Sequence, residues 1–516
     1  MSPPRPVHGV LVRGARRVPV GPGRRMVVAD RPVDLRIVDG MVTEVGPDLA
    51  AAASDEVVDA AGRWAIPGLW DHHVHLTTWS RTRATVDLAG TTGPEDVTGR
   101  VADHVAGLTA EKPRLVSGFG YRSGAWSRLG TVAELDAVTG DVPVVLTSGD
   151  AHNGWLNTAA LGLLGAAGVT GPLEENDWFG LQPAISALLE EIEAGGAGEA
   201  ALRSAMADAA ARGITGVVDL EMPSSYRQWP SRYAAGLDQL RVRASVYPDA
   251  LDDLLSAGVR TGHSLIPDGD LLTMGPFKVI SDGSLNTRTA RCCDAYPDAD
   301  GRHLTQGKQN YELDEMTELL ARAHAGGLEI ALHAIGDAAV DLALQAFAAT
   351  GAVGAIEHAQ LVRLEDLPRM ARLGVRASVQ PAHLLDDRDT TLQLWGDRAD
   401  RCFALRSMLD AGVVLSLGSD APVAPLDPWL AMAAAVHRSA DEREPWNPVE
   451  SLTPAEALAS STDGQPTLGV GSRGDVVLLD ADPVGAATDS GEAARILRGM
   501  PVAATLLAGR LTHSTL

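Results

Sequence analysis

Between about residue 66 and residue 430, short apolar runs alternate with Ala- and Leu-rich stretches of helical period, such as EAALRSAMADAAARG, LDEMTELLARAHAGG and DLALQAFAATG. That alternation marks βαβ units around a parallel sheet. The apolar runs are WDHHVHL, ITGVVDL, RVRASVY, PFKVISD, LEIALHA, VGAIEHA, VRASVQP and VVLSLGSD. Eight such runs predict a closed (β/α)8 barrel of the TIM type, with an open doubly wound sheet as the alternative.

The ends of the chain follow a different pattern. VHGVLVRGARRV, VDLRIVDGMVTEVG and EVVDAAGRWAIPGLWD near the start, and RGDVVLLDADP, MPVAATLLAG and RLTHS near the end, are short alternating runs broken by Asp-Gly and Pro-Gly turns. We therefore expect residues 1–65 and 468–516 to pair as one small β-sandwich domain, with residues 66–467 forming the barrel. The interval 77–205 is too long for one βα connection and carries its own apolar strands, RLVSGFG and VPVVLTS. Placed after the first barrel strand, it is expected to form a lid or substrate wall, because loops on that face line TIM-barrel active sites.

Composition narrows the class of partner. The 516 residues are 45% hydrophobic and 21% charged, enough for a large core and ordinary for a globular chain. A net charge of -24 repels nucleic acid and anionic membrane surfaces at long range, which favours a small-molecule substrate. The arginines of MSPPRPVHGVLVRGARR are followed by no apolar signal region, and no stretch approaches the roughly 18 apolar residues of a membrane span, so a cytoplasmic protein is expected. The three cysteines include the adjacent pair Cys292 and Cys293, which excludes a disulfide framework. Oligomeric state is open, with a homo-oligomer as one option.

Four of the eight apolar runs end on side chains able to bind a metal, five in all: His73 and His75 on the first, His333 on the fifth, His358 on the sixth and Asp420 on the eighth. The period of two aims His73 and His75 the same way. A lone histidine at a strand end is more often structural than a ligand. Five metal-ligating side chains at carboxyl ends that a barrel brings to one mouth are hard to explain that way. Imidazole nitrogen and carboxylate oxygen, without cysteine, suit zinc and related divalent ions.

PGLWDHHVHL, FKVISDGSL with TRTA close behind, HAIGD, IEHAQ and LGSDAPV, in that order, resemble the amidohydrolase superfamily. The branch they fit is amidohydrolase family 3, which includes N-substituted formamide deformylases. PAEALASST and VGSRGDVVLLDADP resemble its closing segment, although SSTDGQPTLG is shortened there and carries Gly and Pro. The resemblance implies that His73, His75 and Asp420 hold one metal, that His333 and His358 hold a second, and that Lys278 of the fourth strand bridges them. A lysine ammonium has no lone pair, so that bridge requires its carboxylation by CO2. An ordinary salt-bridging lysine is the plainer alternative, and relatives with a single ion exist.

The function implied is hydrolysis of a small amide or cyclic amide, not a peptide, by a metal-activated water, with Asp420 carrying the proton to the leaving nitrogen. A deaminase or ester-type hydrolase on the same scaffold, or a non-catalytic metal-binding barrel, are the alternatives. GDAHNGWLN resembles a His-x-x-x-x-Asn stretch near the branch's active site, which makes His152 a substrate contact or a turn histidine. Trp126 and Trp155 are candidates for an apolar pocket wall, although a tryptophan is more often simple packing, and Asp71 and Asp282 are either carboxylates that orient the imidazoles or surface or turn residues.

Overall fold

The computed structural model describes residues 9–21, 31–83, 85–108, 115–193, 196–267, 269–296 and 305–516. Residues 1–8 and 22–30 of the expected terminal domain, and 84, 109–114 and 194–195 of the interval 77–205, lie outside it.

Eight parallel strands occur in the predicted order: β1 (Leu69–Val74), β2 (Ile214–Asp219), β3 (Arg241–Val246), β4 (Leu272–Ile280), β5 (Ile330–Ala334), β6 (Gly354–His358), β7 (Arg376–Val379) and β8 (Leu415–Leu417). Each pairs with the next, β1 pairing with β2. A parallel bridge between Val74 and Ala421, with hydrogen bonds from Asp420 N to His73 O (2.7 Å) and from His75 N to Ala421 O (2.9 Å), closes the ring. The open-sheet alternative is thereby removed.

The strands read as unbroken apolar runs because helices cover them outside and the lumen inside. Helix Asp337–Thr350 shows how the cover is made: Val340, Ala343, Leu344 and Phe347 recur at helical spacing and are buried against the barrel. The helix stops at Gly351, whose φ of +66° is a left-handed cap.

Seven strands from both ends of the chain form a second sheet, in the order Arg510–Ser514, Val502–Leu507, Val476–Leu479, Trp64–Pro67, Val10–Arg17, Val33–Val38 and Met41–Gly46, and Glu56–Asp59 adds an eighth on Val10–Arg17. Strand Val10–Arg17 changes partner midway: Val10–Arg13 pair with Glu56–Asp59, and Arg16 and Arg17 with Trp64 and Ala65. The register shift lies at Gly14, whose φ is +66°, so the sheet turns there and its two halves share one core that includes Val12, Leu35, Leu478 and Leu506.

A third sheet follows β1, ordered Leu173–Glu174, Asn153–Leu156, Val144–Ser148, Val116–Tyr121 and Val86–Asp87, with its own core around Leu88, Leu135, Leu146 and Trp155. Among the described residues, no helix is long and apolar enough to cross a membrane.

Candidate metal centre

The seam that closes the barrel also assembles the site. Because Asp420 N bonds to His73 O, the carboxylate after β8 meets the imidazoles after β1. Its Oδ1 lies 3.3 Å from His73 Nε2 and 3.3 Å from His75 Nε2. His358 stands between the two groups expected from the sequence, its ring centroid 5.0 Å from that of His73 and 4.6 Å from that of His333. One ligating atom each from His73, His358 and Asp420 falls within 4.8 Å of the others. Lys278, on β4, lines the same cavity as all of them.

The backbone is bent to achieve this. His358 and Asp420 have φ of +71° and +56°, left-handed values that non-glycine residues seldom adopt, and such conformations gather at functional sites.

Two carboxylates hold the outer imidazole nitrogens. Asp282 Oδ1 is 3.0 Å from His333 Nδ1, and its two oxygens also accept from the backbone N–H of Ile335, Gly336 and Arg291. Glu357 Oε2 lies 2.8 Å from His73 Nδ1. Asp71 takes a different part: it accepts from the backbone N–H of His73 and Ser419, pinning β1 to the segment after β8.

Two further side chains were not expected from the sequence. Glu357 precedes His358, and strict alternation along a strand would aim the two apart; the left-handed turn at His358 lets both serve the site. His383, four residues beyond the end of β7, brings Nε2 to 3.9 Å from Asp420 Oδ2 and 3.2 Å from Ser419 O. Its position shortly after a barrel strand was the available signal.

Burial depresses the basicity of the His73, His333 and His358 imidazoles, so they are neutral with lone pairs available. His75 is lifted, since the bond to Asp420 overcomes the burial that would lower it. Burial would raise Asp420, but the bond from His75 and the neighbouring imidazoles hold it ionised, well below the ordinary carboxylate range. Burial pushes Glu357 up to about 7. His333 Nε2 and His358 Nδ1 are buried without a hydrogen-bond partner, although buried polar atoms are normally satisfied. Orphaned lone pairs beside an ionised carboxylate fit a divalent cation.

With a metal held by His333, Asp282 would act on its affinity through the imidazole. Asp282→Asn should weaken it about 10- to 100-fold, the usual effect of losing a carboxylate behind a ligating imidazole. A chelator-competition titration reads this directly, and an unchanged constant would mean that Asp282 only shapes the backbone.

Above these groups lies a cavity of about 410 Å³, walled by Phe119, Val145, Trp178, Phe179, Ile185 and Leu189. His152 lines it, with its ring centroid 5.6 Å from that of His333 and its Nδ1 3.1 Å from Glu175 Oε1. Glu175 lifts His152 to about 9 against the burial that would lower it. Trp126 is not brought to the cavity: it stacks on Tyr121 at 5.5 Å and donates its indole N–H to Thr91 O. Trp155 is likewise core, its indole N–H bonded to Thr131 O.

The sequence profile described as the amidohydrolase family matches residues 56–513. An N-substituted formamide deformylase of Arthrobacter pascens is 28% identical over 494 residues, covering 87% of this chain and 89% of that protein. The putative amidohydrolase YtcJ of Bacillus subtilis is 25% identical, covering 84% and 86%. Among solved structures, an uncharacterized metal-dependent hydrolase from Pyrococcus horikoshii OT3 superposes with a TM-score of 0.74 at 26% identity, over 94% of this chain and 99% of that one.

Proposed function

Because the chain belongs to the amidohydrolase family, whose members are metal-dependent hydrolases of carbon–nitrogen bonds, we propose that it cleaves a small amide or cyclic amide carrying a bulky apolar group. The observation that carries this reading is the contrast within one cavity: buried imidazoles and Asp420 at its floor, and Phe119, Phe179, Ile185 and Leu189 on its walls. An apolar substituent gains from burial against those walls, at about 25 cal/mol per Å², while its amide is left against the polar floor. In this reading the interval 77–205 serves as the substrate wall, and an N-substituted formamide, which the Arthrobacter pascens relative is named for, is a small amide of the kind cleaved.

His73, His75, His333, His358 and Asp420 would hold one or two divalent ions, with zinc matching the nitrogen- and oxygen-rich donor set. A carboxylated Lys278 would bridge two of them. The metal supplies Lewis acidity, making a water acidic enough to attack near neutral pH and polarising the carbonyl. The chain's own groups do the rest. Asp420, held ionised, accepts a proton from the attacking water and returns it to the leaving nitrogen. Asp282 and Glu357 keep His333 and His73 in one orientation and tautomer. The apolar walls exclude bulk water from the bond being cleaved.

The test is turnover of a panel of N-formyl, N-acyl and cyclic amides with aromatic, branched or charged substituents, set beside matched esters and aminated heterocycles. Apolar N-substituted amides should be hydrolysed, and a chelator should abolish the activity until zinc is restored. Preference for esters, or release of ammonia from the heterocycles, would replace the amide reading.

A further inference from the structure

TRTA, behind FKVISDGSL, is a motif that the proposed chemistry leaves without a task. Its two hydroxyls converge on one carboxylate. Thr289 Oγ1 donates to Glu175 Oε1 at 2.6 Å and Thr287 Oγ1 to the same oxygen at 3.1 Å. Glu175 lies 3% exposed, at the end of the third sheet and with a left-handed φ of +50°. Its oxygens are 3.1 and 3.2 Å from His152 Nδ1.

The same loop grips the segment before His152. Ser284 Oγ donates to Asp150 Oδ2 at 2.7 Å, and Asp150 Oδ1 accepts the backbone N–H of His152 at 3.2 Å. Gly283 makes the fit possible: a Cβ there would lie 2.0 Å from Thr289 Oγ1 and 2.6 Å from Glu175 Oε1. One residue before Gly283 in the same loop, Asp282 holds His333. Residues 282–289 therefore fix the outer nitrogens of two imidazoles on different elements, one directly and one through Glu175.

His152 has its Nδ1 taken, so Nε2 is the nitrogen left for the cavity that it lines. A histidine that only packs has no need of a buried carboxylate, and a buried ion pair contributes little to stability by itself. Resting on the amide reading above, we infer that His152 is a fixed hydrogen-bond donor to the carbonyl oxygen of the scissile amide and that Glu175, held by Thr287 and Thr289, is its positioning residue. A donor aimed at that oxygen strengthens as the oxygen gains negative charge, which accelerates the reaction more than it tightens substrate binding.

The experiment is a double-mutant cycle on metal-loaded enzyme with an amide that the wild type hydrolyses. His152→Ala should lower kcat by about 10²–10³-fold, as loss of one oxyanion donor does, with KM little changed. Glu175→Gln should lower it in the same direction, and adding it to His152→Ala should cost nothing more, because Glu175 acts through His152. Thr289→Val, a milder change, should fall between Glu175→Gln and wild type. Metal per chain should equal that of wild type in every variant. Affinity for a tetrahedral phosphonamidate inhibitor, measured by calorimetry, should drop in step with kcat/KM while affinity for the amine product holds. A wild-type enzyme inactive on all amides would sink the amide reading and this assignment with it. An active wild type whose Glu175→Gln variant keeps kcat, loses metal in proportion to activity, or further slows His152→Ala would overturn the assignment alone.

Discussion

Asp420→Asn should nearly abolish turnover, by about 10²–10⁴-fold in kcat, the span a positioned general acid–base group supplies, while KM changes several-fold at most. The Asn side chain is almost isosteric and keeps an oxygen 3.3 Å from the His73 and His75 Nε2 atoms, so the closing bond from Asp420 N to His73 O and much of the metal content should survive. What is lost is an acceptor that is ionised at every working pH. An amide oxygen neither takes a proton from water nor returns one to a leaving nitrogen, so the defect belongs in the chemical step. Steady-state kinetics with elemental analysis on the same sample separate the two losses. If the variant kept near wild-type kcat, or if activity per bound metal were unchanged, Asp420 would be a ligand and no more.

The barrel was legible because its signal is repeated and local. Each strand is an apolar run of three to nine residues flanked by a helix of different periodicity, and all eight runs were recognisable as such. The convergence of the histidines and Asp420 was legible for a related reason, since a side chain at a strand's carboxyl end is placed by the strand itself. Glu357 was not, because its orientation depends on the left-handed backbone at His358, and a period-two reading has no means of foreseeing a departure from alternation. Trp126 and Trp155 read from the sequence as pocket wall or, more often for a tryptophan, simple packing, and tertiary packing against Tyr121 and Leu135 gives the second. The His152–Glu175 pair spans 23 residues, and its anchors Thr287 and Thr289 lie more than a hundred residues further on, a convergence no local pattern carries.

Lys278→Ala should lower metal occupancy and activity together, by more than the about 10- to 100-fold that follows loss of an outer partner such as Asp282. The expectation rests on where the lysine sits. It is 2% exposed, on β4, lining the cavity beside His73, His333 and His358, within the electrostatic reach of the Glu357 and Asp420 carboxylates. Burial draws the ammonium toward the neutral amine, although those two carboxylates work against it. An ammonium there would repel a divalent ion, whereas the neutral amine can add to CO2, losing one proton and becoming an N-linked carboxylate with two oxygen donors. That product would supply an anionic bridge if two cations were held by the four imidazoles. Short carboxylic acids at high concentration should therefore restore part of the occupancy and turnover of Lys278→Ala, and reconstitution of metal-free wild type should depend on bicarbonate. The carboxylated side chain should also be visible as added density beyond Nζ in a crystal of the loaded enzyme. A bare amine in fully metallated, active protein, or a Lys278→Ala variant that binds metal as wild type does, would leave a site with one ion or with another bridge.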